Sequence, residues 1–294
     1  MNKISSQTSF WLLLLFGFSL SSCAQATDKA EITQQVHIEE NTSTENKTNT
    51  ENKMKIENKM KIEIWSDVMC PFCYIGKRNF ETALAQFPDK EHIEVIWKSF
   101  QLDNSIPEVA KESYHEYLVK NKGMAPAQVT ATLDNVTNSA KQVGLVYDFD
   151  KSIMVNSFKA HRLIQLAKTK GYGNEAEEIL FKAFFTDGKN IADIATLTQL
   201  GKEIGLEEED IKTAFTDDKY ARMVREDIQE AGQVGVRGVP FFVMDRKIAV
   251  SGAQPASEFL KNLEKSFAVW RKENPETKLE IIDGKSCTPE GLCD

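Results

Sequence analysis

The feature that most constrains this chain is a cysteine pair, Cys70 and Cys73, separated by one proline and one phenylalanine. Residues 61–67, just before the pair, alternate between the two faces of a short β-rich run, which predicts a strand. After the pair, Pro71 stands where a helix tolerates proline, in its first turn, and apolar residues recur at three- to five-residue steps as far as Phe87. The sequence therefore predicts the pair at a strand-to-helix turn.

This position has a chemical consequence for the first cysteine. A thiol in the first turn of a helix faces unpaired backbone N–H groups and the positive end of the helix dipole, and both favour the thiolate. We therefore expect Cys70 to be the nucleophile. Cys73, one turn further on, is within reach of a mixed disulfide on Cys70 and can release its partner, which completes thiol–disulfide exchange.

Two other interpretations of the pair are open. A structural zinc site needs a second close pair of ligands, whereas Cys287 and Cys293 have five residues between them and lie near the other end of the chain. The second interpretation is an inert pair of buried thiols. Pro71 and the strand-then-helix context favour redox chemistry over both, and no metal site is predicted.

Length and composition set broader limits. A chain of 294 residues with 41% hydrophobic residues can hold one large or two ordinary domains with a real core. The net charge of −8, without a Lys/Arg stripe, argues against a nucleic-acid partner. The five cysteines fall as two close pairs and a single residue, Cys23, which needs its own explanation.

The N-terminus reads as an export signal. Residues 10–20 form an apolar segment that is too short to span a bilayer and has the length of a signal-peptide core. The sequence from Leu20 to Ala24 resembles the bacterial lipobox. This resemblance implies a lipoprotein signal peptide over residues 1–22, acylation of Cys23 and a lipid-anchored protein on the periplasmic side of a bacterial membrane. The alternative is an ordinary cleavable signal peptide with an incidental cysteine.

A polar segment separates this signal from the body of the chain. Residues 23–59 are rich in Thr, Asn, Glu, Lys and Gln and cannot bury enough apolar surface to order themselves, so we expect a disordered tether. The body is predicted to begin near Met60. If translation started near Met54 or Met60 instead, the protein would be cytoplasmic.

The body has strands at both ends and helices between them. A second strand is predicted over residues 93–100, a strand pair over 238–244 and 247–252, and a closing helix over 257–270. The helical stretches between them start at or run through Pro107, Pro126, Phe158, Ile179, Asp193 and Tyr220. This order predicts an α/β sheet interrupted by a helical insertion.

The order of elements and motifs resembles a known family. The cysteine pair after the first strand, with Val239-Pro240 before the third, resembles the thioredoxin fold with the helical insertion of the DsbA superfamily. FrnE-type dithiol oxidoreductases are more similar still, over about residues 60–270, in the segments 64–78, 160–163, 180–181 and 238–242. The resemblance implies a thioredoxin-like domain (60–105 and 233–272), a large helical insertion (106–232) and a C-terminal tail (273–294).

The resemblance also implies a function. It is that of a thiol–disulfide oxidoreductase or isomerase acting on protein dithiols and disulfides, with Cys70 and Cys73 catalytic. The Val239–Pro240 bond is expected to be cis and beside the pair, with the Val239 backbone pairing to an extended substrate segment. No bound cofactor is expected, since the cysteine pair carries the electrons and exchanges with glutathione or a partner thiol protein. Expected partners are protein substrates, an upstream redox protein and the membrane.

Two alternative functions use the same fold. A glutathione-dependent isomerase or transferase, of the kappa-class or hydroxychromene-carboxylate isomerase type, normally has serine where this chain has Cys70. A non-catalytic chaperone would use the insertion and the Val239 edge to hold extended polypeptides. The Pro-Phe between the cysteines also differs from the Pro-His of strongly oxidising DsbA proteins, so strong oxidant character is not implied.

Simpler interpretations apply to the remaining polar residues. Lys77 and Arg78 are predicted on a solvated helix face, with support of the Cys70 thiolate as the alternative, and His161 is predicted as a hydrogen-bonded core residue rather than a catalyst. Turn residues between Cys287 and Cys293 predict a disulfide that staples the tail. A redox relay between this pair and Cys70–Cys73 is the alternative.

Overall fold

A computed structural model describes residues 59–109 and 112–275 of the chain. The predicted signal peptide, nearly all of the tether and the tail from residue 276 onward lie outside these ranges. Cys23, Cys287 and Cys293 therefore lie outside the described residues too. The domain boundaries and the roles of these three cysteines stay predictions.

Within the described ranges the strands form one four-stranded sheet in the order β2-β1-β3-β4. β1 and β2 are parallel, and β3 is antiparallel to both β1 and β4. Asp245 and Arg246 join the hairpin with positive φ angles of 49° and 54°, which suits the right-handed twist of its strands. The strands are β1 Met60–Ser66, β2 Ile93–Ser99, β3 Phe241–Met244 and β4 Ile248–Ser251.

Nine α-helices accompany the sheet in the part of the chain that the structure describes. The first follows β1, seven lie between β2 and β3, and the last follows β4. They are α1 Pro71–Gln86, α2 Tyr114–Lys122, α3 Pro126–Gln142, α4 Phe158–Thr169, α5 Gly173–Phe185, α6 Ile194–Glu203, α7 Glu208–Thr216, α8 Asp218–Val234 and α9 Ala256–Glu273.

Both faces of the sheet are covered, which explains why β1 is buried at nearly every position. On one face Ile62 and Ile64 pack with Phe80 of α1 and Phe259 of α9. On the other face Trp65 packs near Ala231 at the end of α8. The first strand thus lies in the centre of the molecule, and its end is where the cysteine pair begins.

The largest core cluster belongs to the helical insertion and includes the cysteine pair. Cys70 and Cys73 are buried with Tyr74 of α1 in the same apolar cluster as Phe181 and Phe184 of α5. The insertion therefore forms one wall around the cysteines, and the sheet forms the other.

The helix pattern differs from the prediction in three places. The stretch opened by Pro107 becomes helical only at Tyr114, where Ser113 and Glu116 form a capping box that stops the helix from starting earlier. Helix α7 is absent from the prediction: it is a short helix of nine residues, of which only Ile211 and Ala214 are buried. α8 continues past Gly232 to Val234, and Gly235, with a φ of 88°, is its C-cap.

None of the described helices combines the length and the apolar character needed to cross a bilayer.

Candidate active site

Cys70 is the N-cap of α1, as the sequence predicts. Its backbone is extended (φ −90°, ψ 112°), and Pro71 occupies the first helical turn. The Cys70 N–H donates to the Asp67 carbonyl at 2.9 Å, and the Cys73 N–H donates to the Cys70 carbonyl at 3.0 Å. Both thiols are free, and the residues are only 4% and 1% exposed. The turn between β1 and α1 therefore holds the two sulfurs on one side of the first helical turn.

The loop before β3 packs directly against this turn. The Cys70 thiol donates to the Val239 carbonyl at 3.5 Å, and the Val239–Pro240 bond is cis, as the family resemblance implies. Gly76 of α1 allows the close approach, since a Cβ there would lie 2.9 Å from Cγ of Pro240. The structure thus brings four sequence-predicted site residues together: Cys70, Cys73, Val239 and Pro240.

Two tyrosines from the insertion hold the backbone on either side of Cys70. The Tyr147 hydroxyl donates to the Pro71 carbonyl at 2.7 Å, and the Tyr114 hydroxyl to the Met69 carbonyl at 3.4 Å. Burial, followed by the charge of Cys70, raises the pKa of both phenols well above its ordinary range. Both side chains therefore stay protonated and keep donating to the turn.

The surroundings of Cys73 favour its protonated form. Burial is the largest cause that raises the pKa of its thiol, and the hydrogen bond and charge of Cys70 add to it. Hydrogen bonds from the Asp67 backbone and the Ser66 side chain act in the opposite direction. At neutral pH Cys73 is therefore a thiol that must lose its proton before it can act as a nucleophile.

Behind the cysteines lies a buried polar cluster made of Ser66, Asp67, His161 and Glu177, each 0% exposed. The Asp67 carboxylate accepts from the Met69 N–H at 3.2 Å and from the Leu102 N–H at 2.8 Å, which fixes the turn before Cys70. We refer to these four residues as the polar cluster.

Two members of the polar cluster, His161 and Glu177, have polar atoms without a hydrogen-bond partner in the described part of the chain. Among the residues that the structure describes, neither ring nitrogen of His161 has a hydrogen-bond partner, and its Nε2 lies 3.5 Å from Oδ1 of Asp67. The prediction that His161 is buried is correct, but the prediction that it is hydrogen-bonded is wrong. Oε2 of Glu177 accepts from the Ser66 hydroxyl at 3.4 Å, while its Oε1 has no partner within the described chain.

The environment of Glu177 changes its acidity. Burial raises the pKa of this carboxyl to about 7, against the opposing charges of His161, Lys77 and Lys168 and the hydrogen bond from Ser66. Glu177 can therefore gain or lose a proton near neutral pH in the interior of the protein, where it contacts Ser66 at the end of β1.

α1 and α5 also share an ion-pair cluster, which we define as Tyr74, Lys77, Arg78, Glu81 and Glu178. Nζ of Lys77 lies 2.6 Å from Glu81 and 2.8 Å from Glu178, and its side chain is only 1% exposed. Arg78 pairs with the same two carboxylates, and the Tyr74 hydroxyl donates to Glu178 at 2.6 Å. The predicted solvated face is wrong for Lys77, because the insertion covers it.

The sequence contains a signal for the two buried charges that the prediction missed. Glu177 stands on the apolar stripe of α5, three, four and seven residues before Leu180, Phe181 and Phe184. Lys77 stands in the same way on the stripe of α1, four residues after Cys73 and three before Phe80. A charge on an apolar stripe indicates burial with a partner or with a function.

One group of described residues has the spacing of metal ligands, but it is separate from this site. Oxygen or nitrogen atoms of Asp89, Glu91 and His92 lie within 4.8 Å of one another at partly exposed positions before β2. Acidic groups commonly gather on surfaces without an ion, so these residues are not assigned to a metal.

Comparison with known proteins places the fold in a family. Residues 61–264 match the family described as the DSBA-like thioredoxin domain. A solved structure described as a probable DsbA oxidoreductase from Streptomyces coelicolor is 37% identical, with a TM-score of 0.68, over 80% of this chain and 98% of that chain. The uncharacterized protein YwbO of Bacillus subtilis is 27% identical over 201 residues, which are 68% of this chain and 93% of that protein.

A more distant structure shares the fold alone. The cytosolic disulfide reductase DsbM from Pseudomonas aeruginosa is 14% identical, with a TM-score of 0.52, over 71% of this chain and 99% of its own. These findings confirm the predicted α/β fold, a thioredoxin-like domain with a helical insertion. The chain, which brings a CxxC pair and a cis-proline loop together on that fold, belongs to the DsbA-like thioredoxin family.

Proposed function

We propose that this protein is a thiol–disulfide oxidoreductase that acts on protein dithiols and disulfides through Cys70 and Cys73. The observation that carries the proposal is the contact of the Cys70 thiol, at the N-cap of α1, with the Val239 carbonyl beside the cis-proline. An inert thiol pair or a zinc site does not require Cys70 at a helix N-terminus or the Val239–Pro240 loop beside it. Thiol–disulfide exchange uses both, the first to stabilise the thiolate and the second to bind the substrate segment.

The reaction proceeds in two steps. The Cys70 thiolate attacks one sulfur of a substrate disulfide, and the other substrate sulfur leaves with the electron pair and takes a proton from water. Cys73 then loses its proton and attacks Cys70, which forms the Cys70–Cys73 disulfide and releases the first substrate sulfur as a thiol. Run in reverse, the same two steps oxidise a substrate dithiol.

The loop before β3 is the proposed substrate-binding edge. The Val239 carbonyl already lies beside the Cys70 sulfur, and Phe72, the apolar residue between the cysteines, is 46% exposed. An extended segment that pairs with Val239 and packs on Phe72 brings its disulfide to Cys70. Pro240 holds this loop against α1 through its contact at Gly76.

Three finer assignments belong to the same proposal. The motifs around the cysteine pair support a FrnE-type enzyme, which exchanges electrons with glutathione or an upstream thiol protein. The lipobox-like segment ending at Cys23 supports a lipid-anchored protein that faces the periplasm. The turn residues between Cys287 and Cys293 support a disulfide staple in the tail.

The proposal is tested with serine variants of the two central cysteines in the reduction of a protein disulfide such as that of insulin. Cys70→Ser should reduce turnover to the background rate, because the nucleophile is gone. Cys73→Ser should also stop turnover, but should accumulate a mixed disulfide between Cys70 and the substrate, which a non-reducing gel detects.

Other outcomes point to the other functions. Protection of an unfolded polypeptide that survives Cys70→Ser, without any disulfide turnover in the native protein, contradicts the proposal and favours a chaperone. Glutathione-dependent turnover of a small aromatic substrate that survives Cys73→Ser contradicts it in favour of an isomerase or transferase.

A separate variant tests the tail. Replacing both Cys287 and Cys293 with serine should leave the turnover rate unchanged if their disulfide is only a staple. A large fall in turnover at an unchanged unfolding midpoint would instead assign the second pair to an electron relay.

A further inference from the structure

We propose that Arg237, an exposed arginine in the loop before β3, selects substrate segments that carry an acidic residue near the reacting cysteine. This inference rests on the proposed function and deepens it, because it names the class of segment that the Val239 edge binds. Arg237 is proposed to contact a substrate carboxylate and neither sulfur, so its role is in specificity and not in the exchange reaction.

The backbone of Arg237 is held in place on both sides. Val236, the residue before it, is buried, and its N–H donates to the Ala231 carbonyl in α8 at 2.9 Å. Two residues after Arg237, the Val239 carbonyl accepts from the Cys70 thiol at 3.5 Å. The loop is therefore anchored at Val236 and at Val239, and it presents the exposed side chain of Arg237 from a fixed position.

Arg237 is close enough to Cys70 to contact a bound segment. Consecutive Cα atoms are about 3.8 Å apart, so the Cα atoms of Arg237 and Val239 are separated by at most about 7.6 Å. The long side chain of the arginine adds to this reach. A segment that pairs with Val239 and places its cysteine at Cys70 therefore has the neighbouring residues of that cysteine within reach of the guanidinium.

The guanidinium of Arg237 has no carboxylate partner within the described residues. Arg78 and Arg246, in contrast, each pair with two glutamates. The planar guanidinium matches the two oxygens of a carboxylate and can donate to both. A substrate carboxylate can bind Arg237 without displacing an internal partner, so no existing ion pair has to be broken.

The surroundings of Cys70 make a single cation effective in discrimination. Two exposed neighbours are apolar: Phe72 follows Cys70 in α1, and the N–H of Leu102 donates to Asp67 in the turn before it. The chain as a whole carries a net charge of −8, which disfavours the approach of acidic substrates. A cation beside the Val239 edge reverses this effect locally, so an acidic residue is favoured only near the reacting cysteine.

The experiment uses the reduced full chain, with Cys23, Cys287 and Cys293 replaced by serine, and short peptides whose single cysteine is blocked as a 2-thiopyridyl disulfide. The Cys70 thiolate attacks the peptide sulfur, the bond between the peptide and thiopyridyl sulfurs breaks, and the thiopyridyl sulfur leaves with the electron pair and takes a proton from water. Cys73 then loses its proton and attacks Cys70, and the peptide sulfur leaves with the electron pair and takes a proton. The cysteine pair loses the two electrons that the blocked peptide gains, and the absorbance of thiopyridone measures the rate of the first step.

The peptides differ only in one charge. Glu, Gln or Lys is placed in turn at each of the two positions on either side of the cysteine, in an otherwise uncharged sequence. At the position nearest Arg237 the Glu peptide should react about two- to fivefold faster than the Gln peptide, and the Lys peptide should be the slowest. This preference should shrink in about 1 M salt, where the Debye length is about 3 Å. Ratios of rates within one protein cancel any change in the reactivity of the Cys70 thiolate itself.

Two variants of the same residue make the test decisive. Arg237→Gln should remove the preference for the Glu peptide, because the cation is gone. Arg237→Glu should reverse the order, so that the Lys peptide becomes the fastest. A general loss of folding lowers all rates together and does not reverse their order.

Lys272→Gln is the matched control, because it removes the same charge from another exposed residue without an ion pair in the described part of the chain. Lys272 lies towards the other end of the sheet: the nearby Trp270 has its ring 6.5 Å from that of His92, just before β2, whereas Cys70 follows the end of the parallel strand β1. This variant should keep the preference for the Glu peptide.

The outcomes separate this inference from the proposed function. Rates no greater than that of free cysteine with every peptide would overturn the proposed function itself. Fast release without a preference for Glu at any position, or with a preference that Arg237→Glu leaves unchanged, would overturn only the role of Arg237.

Discussion

The helical insertion contributes to two groups of polar residues: the polar cluster, which it forms with the end of β1, and the ion-pair cluster, which it forms with α1. The two groups differ in how well their charges are satisfied. In the ion-pair cluster, Lys77 and Arg78 share the carboxylates of Glu81 and Glu178. In the polar cluster, Glu177 has one hydrogen bond, from Ser66, and an oxygen with no partner in the described chain. The two contact regions thus use neighbouring residues of α5 in opposite ways.

The adjacent glutamates show the physical origin of the difference. Burial acts to raise the pKa of both carboxyls. At Glu178 the hydrogen bonds and charges of Arg78 and Lys77 outweigh burial, and the pKa is lowered. At Glu177 burial prevails, and the pKa rises to about 7. The Glu178 carboxylate is fixed as an anion that joins the insertion to α1, whereas the Glu177 carboxyl can gain or lose a proton in the interior near neutral pH.

The largest expected effect comes from breaking the ion-pair cluster at its buried cation. Lys77→Ala removes the apolar stem of the side chain and the charge between Glu81 and Glu178, so it should lower the free energy of unfolding by about 4 kcal/mol. Urea denaturation at pH 7 measures this loss. Lys77→Met is the matched control, since it keeps the stem and removes only the charge, and it should cost about half as much. Equal losses in both variants would show that the stem contributes nothing.

The fold could be predicted from the sequence because the signals for it are local: each is a motif of a few neighbouring residues. Cys70 after a β-rich run, Pro71 in the first turn and Val239-Pro240 before the third strand are each motifs of a few residues, and the structure places them together. The family match over residues 61–264 confirms the fold that those motifs imply.

The parts that the sequence did not predict depend on contacts between distant segments. The periodicity of α1 shows that Lys77 is on the apolar stripe, but the residue that pairs with it, Glu178, lies about one hundred positions away. The lack of a hydrogen-bond partner at Oε1 of Glu177 and at both ring nitrogens of His161, within the described residues, is likewise a property of the packed interior, because it depends on which groups fail to reach these atoms. The start of helix α2 differs from the prediction for another reason: Pro107 is a weaker helix-start signal than the capping box of Ser113 and Glu116, which sets the observed start at Tyr114.

The polar cluster should make the free energy of unfolding depend on pH, through the carboxyl of Glu177. In the folded protein Glu177 holds its proton more tightly than in the unfolded chain, so its contribution to the free energy of unfolding is fully present below pH 4.5 and is lost as pH rises to about 7. The difference between 4.5 and about 7 corresponds to roughly 3 kcal/mol, at about 1.4 kcal/mol for each pH unit.

The glutamine side chain of the Glu177→Gln variant cannot titrate, so the variant does not show this fall in the free energy of unfolding as the pH rises. Relative to the unsubstituted protein, it should be most stabilising above pH 7, by roughly 3 kcal/mol more than at pH 4, in urea denaturation at both values. Glu178→Gln should show the opposite trend, because it removes a carboxyl whose lowered pKa stabilises the folded state at neutral pH. A stability difference for Glu177→Gln that is the same at both pH values would contradict the raised pKa on which the comparison depends.

The smallest expected effect comes from the exposed edge of the ion-pair cluster. The Arg78 side chain is 29% exposed, pairs with Glu81 at 2.8 Å and lies 5.1 Å from the centre of the Tyr74 ring. Because solvent screens it, Arg78→Ala should cost only about 1 kcal/mol at low ionic strength. The cost should shrink further in about 1 M salt, where the Debye length is about 3 Å. Lys77→Ala should keep most of its larger cost under the same conditions, since its charge is covered by the insertion and its stem is buried. Urea denaturation of both variants at the two salt concentrations measures this contrast, and an equal salt response would mean that burial does not distinguish the two cations.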